Sequence, residues 1–506
     1  MKTERTARRG VGAALLVVLG LASVLAGTAT IRGEGQLDDV AHPKPPHPQE
    51  PSAWAADVDT LLAAIRRTHP DPYRVASATA FDSAGATLKR RLPSLPAHAA
   101  SLEMQRLLAM AADGHTEWAS LPESLRGSFL PIIFRRFEEG WFIRTGDPRY
   151  RTLFGKPITA FAGLPMDDAV ERVIPYVSGE NALGKLDAAA DLLRIVTVLD
   201  AVGMATGIPD TVPVSVLEPD GSTTTVAVAV TGDSWVQPTW IDVEQLLAPD
   251  ASRPVSERLD GNYECAWLPT ERLLYVEFSE IRDEDDRSVA EFFDGVYEFA
   301  RRAGAERYVL DLRENSGGNN YLNGPVLRGL IATPALDRPG RFFVMIGPDT
   351  YSAAMNLAVL LERHTHALFV GSPTGATPNH FGDTRIVELP GSGFRAEISE
   401  LYWQNSDPRD TRPWITPDIP ADPSAAALIA GRDPALEAVL AFETSDSLVS
   451  TFGPPMARWG RNGQLRGEQW PSLLEPAARS LDPVPAPEPV TEACVVEDDP
   501  GSMGNP

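Results

Sequence analysis

Apolar residues at Val58, Leu61, Leu62 and Ile65 recur at helical spacing, and Pro70 and Pro72 close that run. Leu102–Ala112 repeats the pattern, with Leu107, Leu108 and Ala111 on one face. From about Phe129 the period shortens to that of strands. Pro131–Phe137 and Gly140–Thr145 predict a hairpin around Glu138-Glu139-Gly140. Ile158–Phe161 predicts a strand, Gly163 a turn, and Asp167 the start of a helix. Val212–Leu217 and Thr224–Val230 flank Pro219-Asp220-Gly221, a strong hairpin signal, and Ala188–Val202 reads as a helical insertion before them.

From about Asn262 strands and helices alternate. Leu273–Phe278, Tyr308–Leu312, Arg341–Ile346 and Ala367–Gly371 are the expected strands. Ser288–Arg302, Tyr321–Leu330 and Asn356–Glu362 are the expected helices. This alternation predicts an α/β domain with a mainly parallel sheet. Ile386–Leu389 and Phe394–Ile398 add a hairpin around Pro390-Gly391-Ser392-Gly393, and Asp433–Phe442 a last helix. The expected organisation begins with a signal peptide or anchor at 1–29, a Pro-rich linker at 30–52 and a helical domain at 53–126. A β domain with a helical insertion follows at 127–248, then the α/β domain at 262–445 and a disordered tail at 446–506.

Composition narrows the function classes. The 506 residues, 43% apolar and 23% charged, are those of a globular chain too long for one core. A formal charge of −24 argues against sequence-independent binding to nucleic acid. Two cysteines, Cys265 and Cys494, exclude a disulfide scaffold and a cysteine-rich zinc site. Lys2, Arg5, Arg8 and Arg9 precede an apolar run from Val11 to Ala26 and the small residues Gly27-Thr28-Ala29, the layout of an export signal. The expected location is the periplasm, the cell envelope or outside the cell, with membrane anchoring through residues 11–26 as the alternative to cleavage.

Two turns carry candidate chemistry. Thr350-Tyr351-Ser352-Ala353-Ala354-Met355-Asn356 follows an apolar strand and opens a helix, setting the Ser352 hydroxyl beside N–H groups that lack helical partners. Asp311-Leu312-Arg313-Glu314-Asn315-Ser316-Gly317-Gly318 ends a buried strand in a Gly-Gly turn, where backbone can approach a ligand and aim N–H groups at an anion. Together the turns can supply a nucleophile and an oxyanion hole, with donors from Gly317 or Gly318 and from Ala353. The serine's base is a histidine, because the last lysine is Lys185, well before the α/β domain. His364 and His366 lie about 18 Å along the helix from Ser352 and are expected to cap its end. That leaves His380, in Pro378-Asn379-His380-Phe381-Gly382, read as a loop, and His115, in Asp113-Gly114-His115-Thr116. No metal is expected: a His-rich zincin helix is lacking, and His364 and His366 face different ways.

Taken in order, Asp113-Gly114-His115-Thr116, the Asp311–Gly318 segment, Thr350-Tyr351-Ser352-Ala353-Ala354 and Val370-Gly371-Ser372-Pro373-Thr374-Gly375 resemble the tail-specific (C-terminal-processing) serine peptidase family. The resemblance is to its tricorn-like, histidine-using branch and covers roughly residues 55–445. It implies a Clp protease/crotonase-like catalytic domain, an N-terminal helical domain and a small PDZ-like β domain. Lys156–Gly163 is similar to a PDZ strand and turn, although the helical insertion departs from the simple form. The resemblance also implies Ser352 as nucleophile, His115 as general base, and oxyanion donors at Gly318 and Ala353. The family orients its base through a residue downstream of the serine; Asp410 is favoured here, with Asp407 and Asp418 as alternatives. The implied reaction is hydrolysis of a polypeptide without metal or organic cofactor, falling away below about pH 6.5 unless the base is shifted. The other readings are a non-catalytic ligand- or protein-binding member of the same scaffold, and an esterase or amidase for small substrates.

Overall fold

The structure is a computed structural model of the chain and describes residues 50–232, 240–242, 259 and 261–442. The expected signal or anchor, most of the linker and the expected tail lie outside the described residues. The chain divides into two units: Met1–Val243 with His380–Trp403, and Glu244–Asn379 with Gln404–Pro506.

The first unit opens with helices α1 (Ala55–Thr68), α2 (Ala78–Arg91) and α3 (Ala97–Ala109). α1 buries the expected stripe of Val58, Leu61, Leu62 and Ile65. α2 escapes the apolar pattern because it buries only Phe81, Gly85 and Leu88; its start is set by Ser77, whose hydroxyl accepts the Ala80 N–H. The short β1 (Glu117–Trp118) precedes the hairpin of β2 (Ile132–Phe137) and β3 (Gly140–Gly146). The PDZ-like part comprises β4 (Ile158–Phe161), β5 (Leu164–Pro165), α4 (Met166–Val173), α5 (Ala182–Leu193), α6 (Val196–Ala201), β6 (Thr211–Leu217) and β7 (Thr223–Ala229). Its sheet runs β5-β4-β6-β7, and the expected insertion is the helix pair α5 and α6. β8 (Ile241–Asp242) joins β3.

The second unit is built on β9 (Tyr263–Leu268), β10 (Leu273–Phe278), α7 (Val289–Ala303), β11 (Arg307–Asp311), α8 (Asn323–Ile331), β12 (Phe342–Ile346), α9 (Ser352–His364) and β13 (Leu368–Gly371). The chain then leaves for the hairpin β14 (Asn379–Leu389) and β15 (Phe394–Gln404), and returns for β16 (Ile419–Pro420), α10 (Ala425–Ile429) and α11 (Pro434–Leu440). The sheet order is β16-β13-β12-β11-β10-β9, parallel except for the antiparallel edge strand β9. β12 is buried at every position, as a strand covered on both faces must be. Its Phe342, Val344 and Ile346 pack with residues of α7, α8 and α9, and its Phe343 and Met345 with Leu436 and Val439 of α11. α7 is delimited by a Ser288–Glu291 capping box and by Gly304 in the left-handed region at φ 63°.

The β14–β15 hairpin is longer than its sequence pattern, each strand holding 11 residues, so His380 lies on a strand and not in a loop. Asp57 of α1 anchors its turn: Oδ2 accepts the Ser392 N–H at 2.6 Å and hydroxyl at 2.7 Å, and Oδ1 accepts the Gly391 N–H at 3.3 Å. β1 pairs antiparallel with β15 in a sheet ordered β1-β15-β14. No helix among the described residues is long and apolar enough to cross a membrane.

Candidate active site

In the second unit, the turn from β12 into α9 is tied down by side chains. Thr350 Oγ1 accepts the Gly347 N–H at 3.0 Å and donates to the Leu312 carbonyl at 2.8 Å, strapping the turn to the end of β11. The Tyr351 N–H donates to the Asn315 carbonyl at 3.1 Å. The helix then begins at Ser352 itself, about one turn before the apolar pattern places it. Ser352 has φ 52°, in the left-handed region, which costs a non-glycine residue roughly 1–2 kcal/mol. Such a conformation persists only where the surroundings over-determine it.

The Gly-Gly turn lies against this serine. A Cβ on Gly317, whose φ is 114°, would fall 2.6 Å from Ser352 Cβ, 2.8 Å from the Ala353 nitrogen and 3.1 Å from Ser352 Oγ. A Cβ on Gly318, whose φ is 129°, would run into the Ile281 carbonyl. Both positions require glycine, for space as well as for φ. The buried Asn315 braces the turn: Nδ2 donates to the Phe278 carbonyl at 2.6 Å, and Oδ1 accepts the Gly317 N–H at 2.9 Å. That bond occupies Gly317, expected as a candidate anion donor, and leaves it the role of making room. Among the described residues the N–H groups of Gly318 and Ala353 make no hydrogen bond. The Ala353 carbonyl is held by Asn323 Nδ2 at 2.9 Å.

The three downstream acids each have work within this unit. Asp410 is buried; its Oδ2 accepts the Ser406 hydroxyl at 2.6 Å, and Arg412 reaches both its oxygens at 3.0 and 2.8 Å. Arg412 continues to Glu362 of α9 through bonds of 2.7 and 2.8 Å, fastening the loop to the helix that Ser352 starts. Asp407 pairs with the exposed Arg409 at 2.9 Å. Asp418 Oδ2 accepts the Phe369 N–H of β13 at 3.0 Å. His366, expected to cap α9, is bonded instead to Asp337, through its N–H at 2.7 Å and its ring at 3.2 Å.

Three histidines of the first unit, His69, His115 and His380, lie around Asp113 and its neighbours, while His98 pairs with Asp200. Asp113 Oδ1 accepts the His115 backbone N–H at 3.0 Å, and Asp113 Oδ2 accepts the Thr116 hydroxyl at 2.6 Å and faces His69 Nε2 at 3.2 Å. His115 Nδ1 stands 3.9 Å from Asp113 Oδ1, and its ring lies parallel to that of His380, 5.9 Å between centroids and 9° between planes. Burial pushes the His115 imidazole below the ordinary histidine range, against the opposing charges of Asp113 and Asp383, which leaves a neutral base at neutral pH. Burial works the other way on Asp113, but the His69 hydrogen bond and the charge of His115 outweigh it and hold its carboxyl well below the carboxylate range. Ligand atoms of Asp113, His115 and Glu180 converge within 4.8 Å, yet hydrogen bonds already engage both Asp113 oxygens, and Glu180 Oε1 accepts the Gly114 N–H at 3.3 Å. This is a hydrogen-bonded cluster more than a cation cage. Sequence reasoning passed over Asp113 and His69. Asp113 stands two residues before His115, and that proximity was the available signal; His69 carries none.

No family model and no curated protein matches the sequence. Among solved structures, mature CPAF complexed with lactacystin is 11% identical with a TM-score of 0.53, covering 76% of this chain and 96% of that one. Mature CPAF alone is 12% identical with a TM-score of 0.52, covering 76% and 95%. The photosystem II D1 C-terminal processing protease is 15% identical over 80% of this chain and 99% of that one, at a TM-score of 0.36 too low to add weight. The chain thus has the mixed α/β scaffold of CPAF, with N-terminal helices, a crotonase-like part and a PDZ-like part.

Proposed function

We propose that the chain is an exported serine peptidase that cleaves polypeptides through Ser352 and His115. The observation that carries this reading is the serine itself. Ser352 sits at positive φ on the first residue of a helix, with Gly317 stripped of any side chain where one would cover its hydroxyl. A serine that only caps a helix needs neither feature. In the proposed reaction Ser352 Oγ attacks the scissile carbonyl carbon while His115 takes its proton and passes it to the leaving amine. The carbonyl oxygen, now negative, is received by the N–H groups of Gly318 and Ala353 at the positive end of α9. Water activated by His115 then releases the acyl group. Export is read from the N-terminal charge and apolar pattern.

A fluorophosphonate probe tests the proposal, applied to the full exported chain beside Ser352→Ala and His115→Ala. Labelling of the parent lost in both variants supports an activated serine served by His115. A folded parent that does not label refutes catalysis and favours a binding protein on the same scaffold. Because CPAF has been captured with lactacystin, competition by lactacystin is a useful second readout.

A further inference from the structure

We propose that Asp113, itself held by His69, fixes the tautomer and orientation of His115, the part that the downstream acid Asp410 was expected to play; the inference rests on His115 being the base. The order of hydrogen bonds decides the protonation states. The Asp71 N–H donates to His69 Nδ1 at 3.1 Å, so that nitrogen carries no proton and the ring's hydrogen is on Nε2. His69 Nε2 therefore donates to Asp113 Oδ2, 3.2 Å away. Both side chains are fully buried, and the His69 ring is fixed by Phe381, 4.4 Å between centroids. Asp113 is thus an ionised carboxylate whose position is set by three donors: His69, the Thr116 hydroxyl and the His115 backbone.

His115 Nδ1 faces this carboxylate at 3.9 Å, too long for a hydrogen bond and short enough for charge to act. The negative Oδ1 favours the proton on Nδ1 and leaves the lone pair of Nε2 for a substrate-directed role. The charged and titratable groups around His115 are Asp113 from the turn after α3, His380 and Asp383 from β14, and Glu180 from the loop before α5. Around Asp113 they are His69, His115, Glu117 and Glu180, with Thr116 and Ser399 as neutral neighbours. Asp410, by contrast, is bound by Arg412 and Ser406 and locks its own loop to α9.

The test compares Asp113→Asn with Asp410→Asn in the full chain, reading kcat/KM across the acid range. Loss of the Asp113 charge removes a group that raises the His115 value, so its acid limb should move to lower pH, and kcat should fall on the order of 10²–10⁴-fold. Asp410→Asn should leave the limb in place. A limb that moves with Asp410→Asn and not with Asp113→Asn overturns the proposal. Asp113→Glu, which keeps the charge, should restore part of the rate. A second measurement depends on neither activity nor the variant's folding: ¹⁵N NMR of the His115 imidazole in Ser352→Ala. A resonance pattern with the proton on Nδ1 is expected, and a proton on Nε2 overturns the proposal. If the probe never labels Ser352, the peptidase reading fails, while the tautomer measurement still reports on Asp113.

Discussion

Gly317→Ala asks whether the Gly-Gly turn acts by leaving room at the serine. The added Cβ would lie 2.6 Å from Ser352 Cβ, whereas two carbons rest at about 3.5–4.0 Å, so one turn must retreat by about 1 Å. The neighbours offer no flexible side chain to absorb the push: the next atoms are the Ala353 nitrogen and Ser352 Oγ. Alanine at φ 114° adds backbone strain of roughly 1–3 kcal/mol. Misplacing a reacting group by about 1 Å costs on the order of 10²-fold in rate. Fluorophosphonate labelling of Ser352 should therefore slow by about 10²-fold, while the melting temperature falls by about 2–4 °C for each kcal/mol lost. Gly347→Ala is the control, at the start of the β12–α9 turn that Gly317 faces, where an added Cβ would meet nothing closer than the Arg313 carbonyl oxygen at 3.6 Å. A folded Gly317→Ala chain that labels as fast as Gly347→Ala would refute the reasoning.

Three further outcomes are expected. Because burial holds the His115 value low, kcat/KM should decline on the acid side with an apparent pKa below the ordinary histidine value of about 6.5; a limb at or above that value speaks against His115 as the base. Asp57→Ala removes the acceptor for three donors at the 390–393 turn, and since hydrogen bonds to a charged group contribute about 1.5–3 kcal/mol each, limited proteolysis there should quicken; unchanged cleavage would show that the turn is held otherwise. Arg412→Met strands the carboxylates of Glu362 and Asp410 and should destabilise the chain by about 3–5 kcal/mol near neutral pH, read by urea unfolding. Burial raises the Asp410 carboxyl, but Arg412 and Ser406 depress it further, so the parent's advantage is present above the unfolded carboxylate value and lost as pH falls through the folded one. A gap between parent and variant that stays constant down to acid pH would contradict that assignment.

The second unit was the more legible in sequence because its strands are covered on both faces and read as short apolar runs; Phe342–Ile346 is the clearest. Edges and caps were less so. β9 was missed because Tyr263-Glu264-Cys265-Ala266-Trp267-Leu268 mixes buried and half-buried positions at a sheet edge. The β14–β15 hairpin outruns its sequence pattern because the start of β14 buries the polar Asn379 and His380 while the end of β15 exposes the apolar Leu401 and Tyr402, so neither outer half shows apolar-in, polar-out alternation. The Ser352 turn is visible as a motif, but its decisive details, positive φ at Ser352 and the Asn315 bond that engages Gly317, depend on contacts between segments far apart in the chain. His69 could not have been chosen from sequence, since its place beside Asp113 depends on how α1 meets α3.

A ribosome makes Ser352 before it makes β15. The contacts that shape the serine turn run from Phe278 to Ala353, so that turn can be complete soon after the helix it opens has emerged. The histidine loop has to wait. β1, two residues past His115, pairs with β15, and the Ser399 N–H donates to Thr116 Oγ1 at 3.1 Å, a hydroxyl that itself holds Asp113. A nascent or truncated chain ending before Phe394 therefore carries a finished serine turn and an unfinished histidine loop. The order of synthesis keeps the two halves of the proposed chemistry apart until most of the chain has been made.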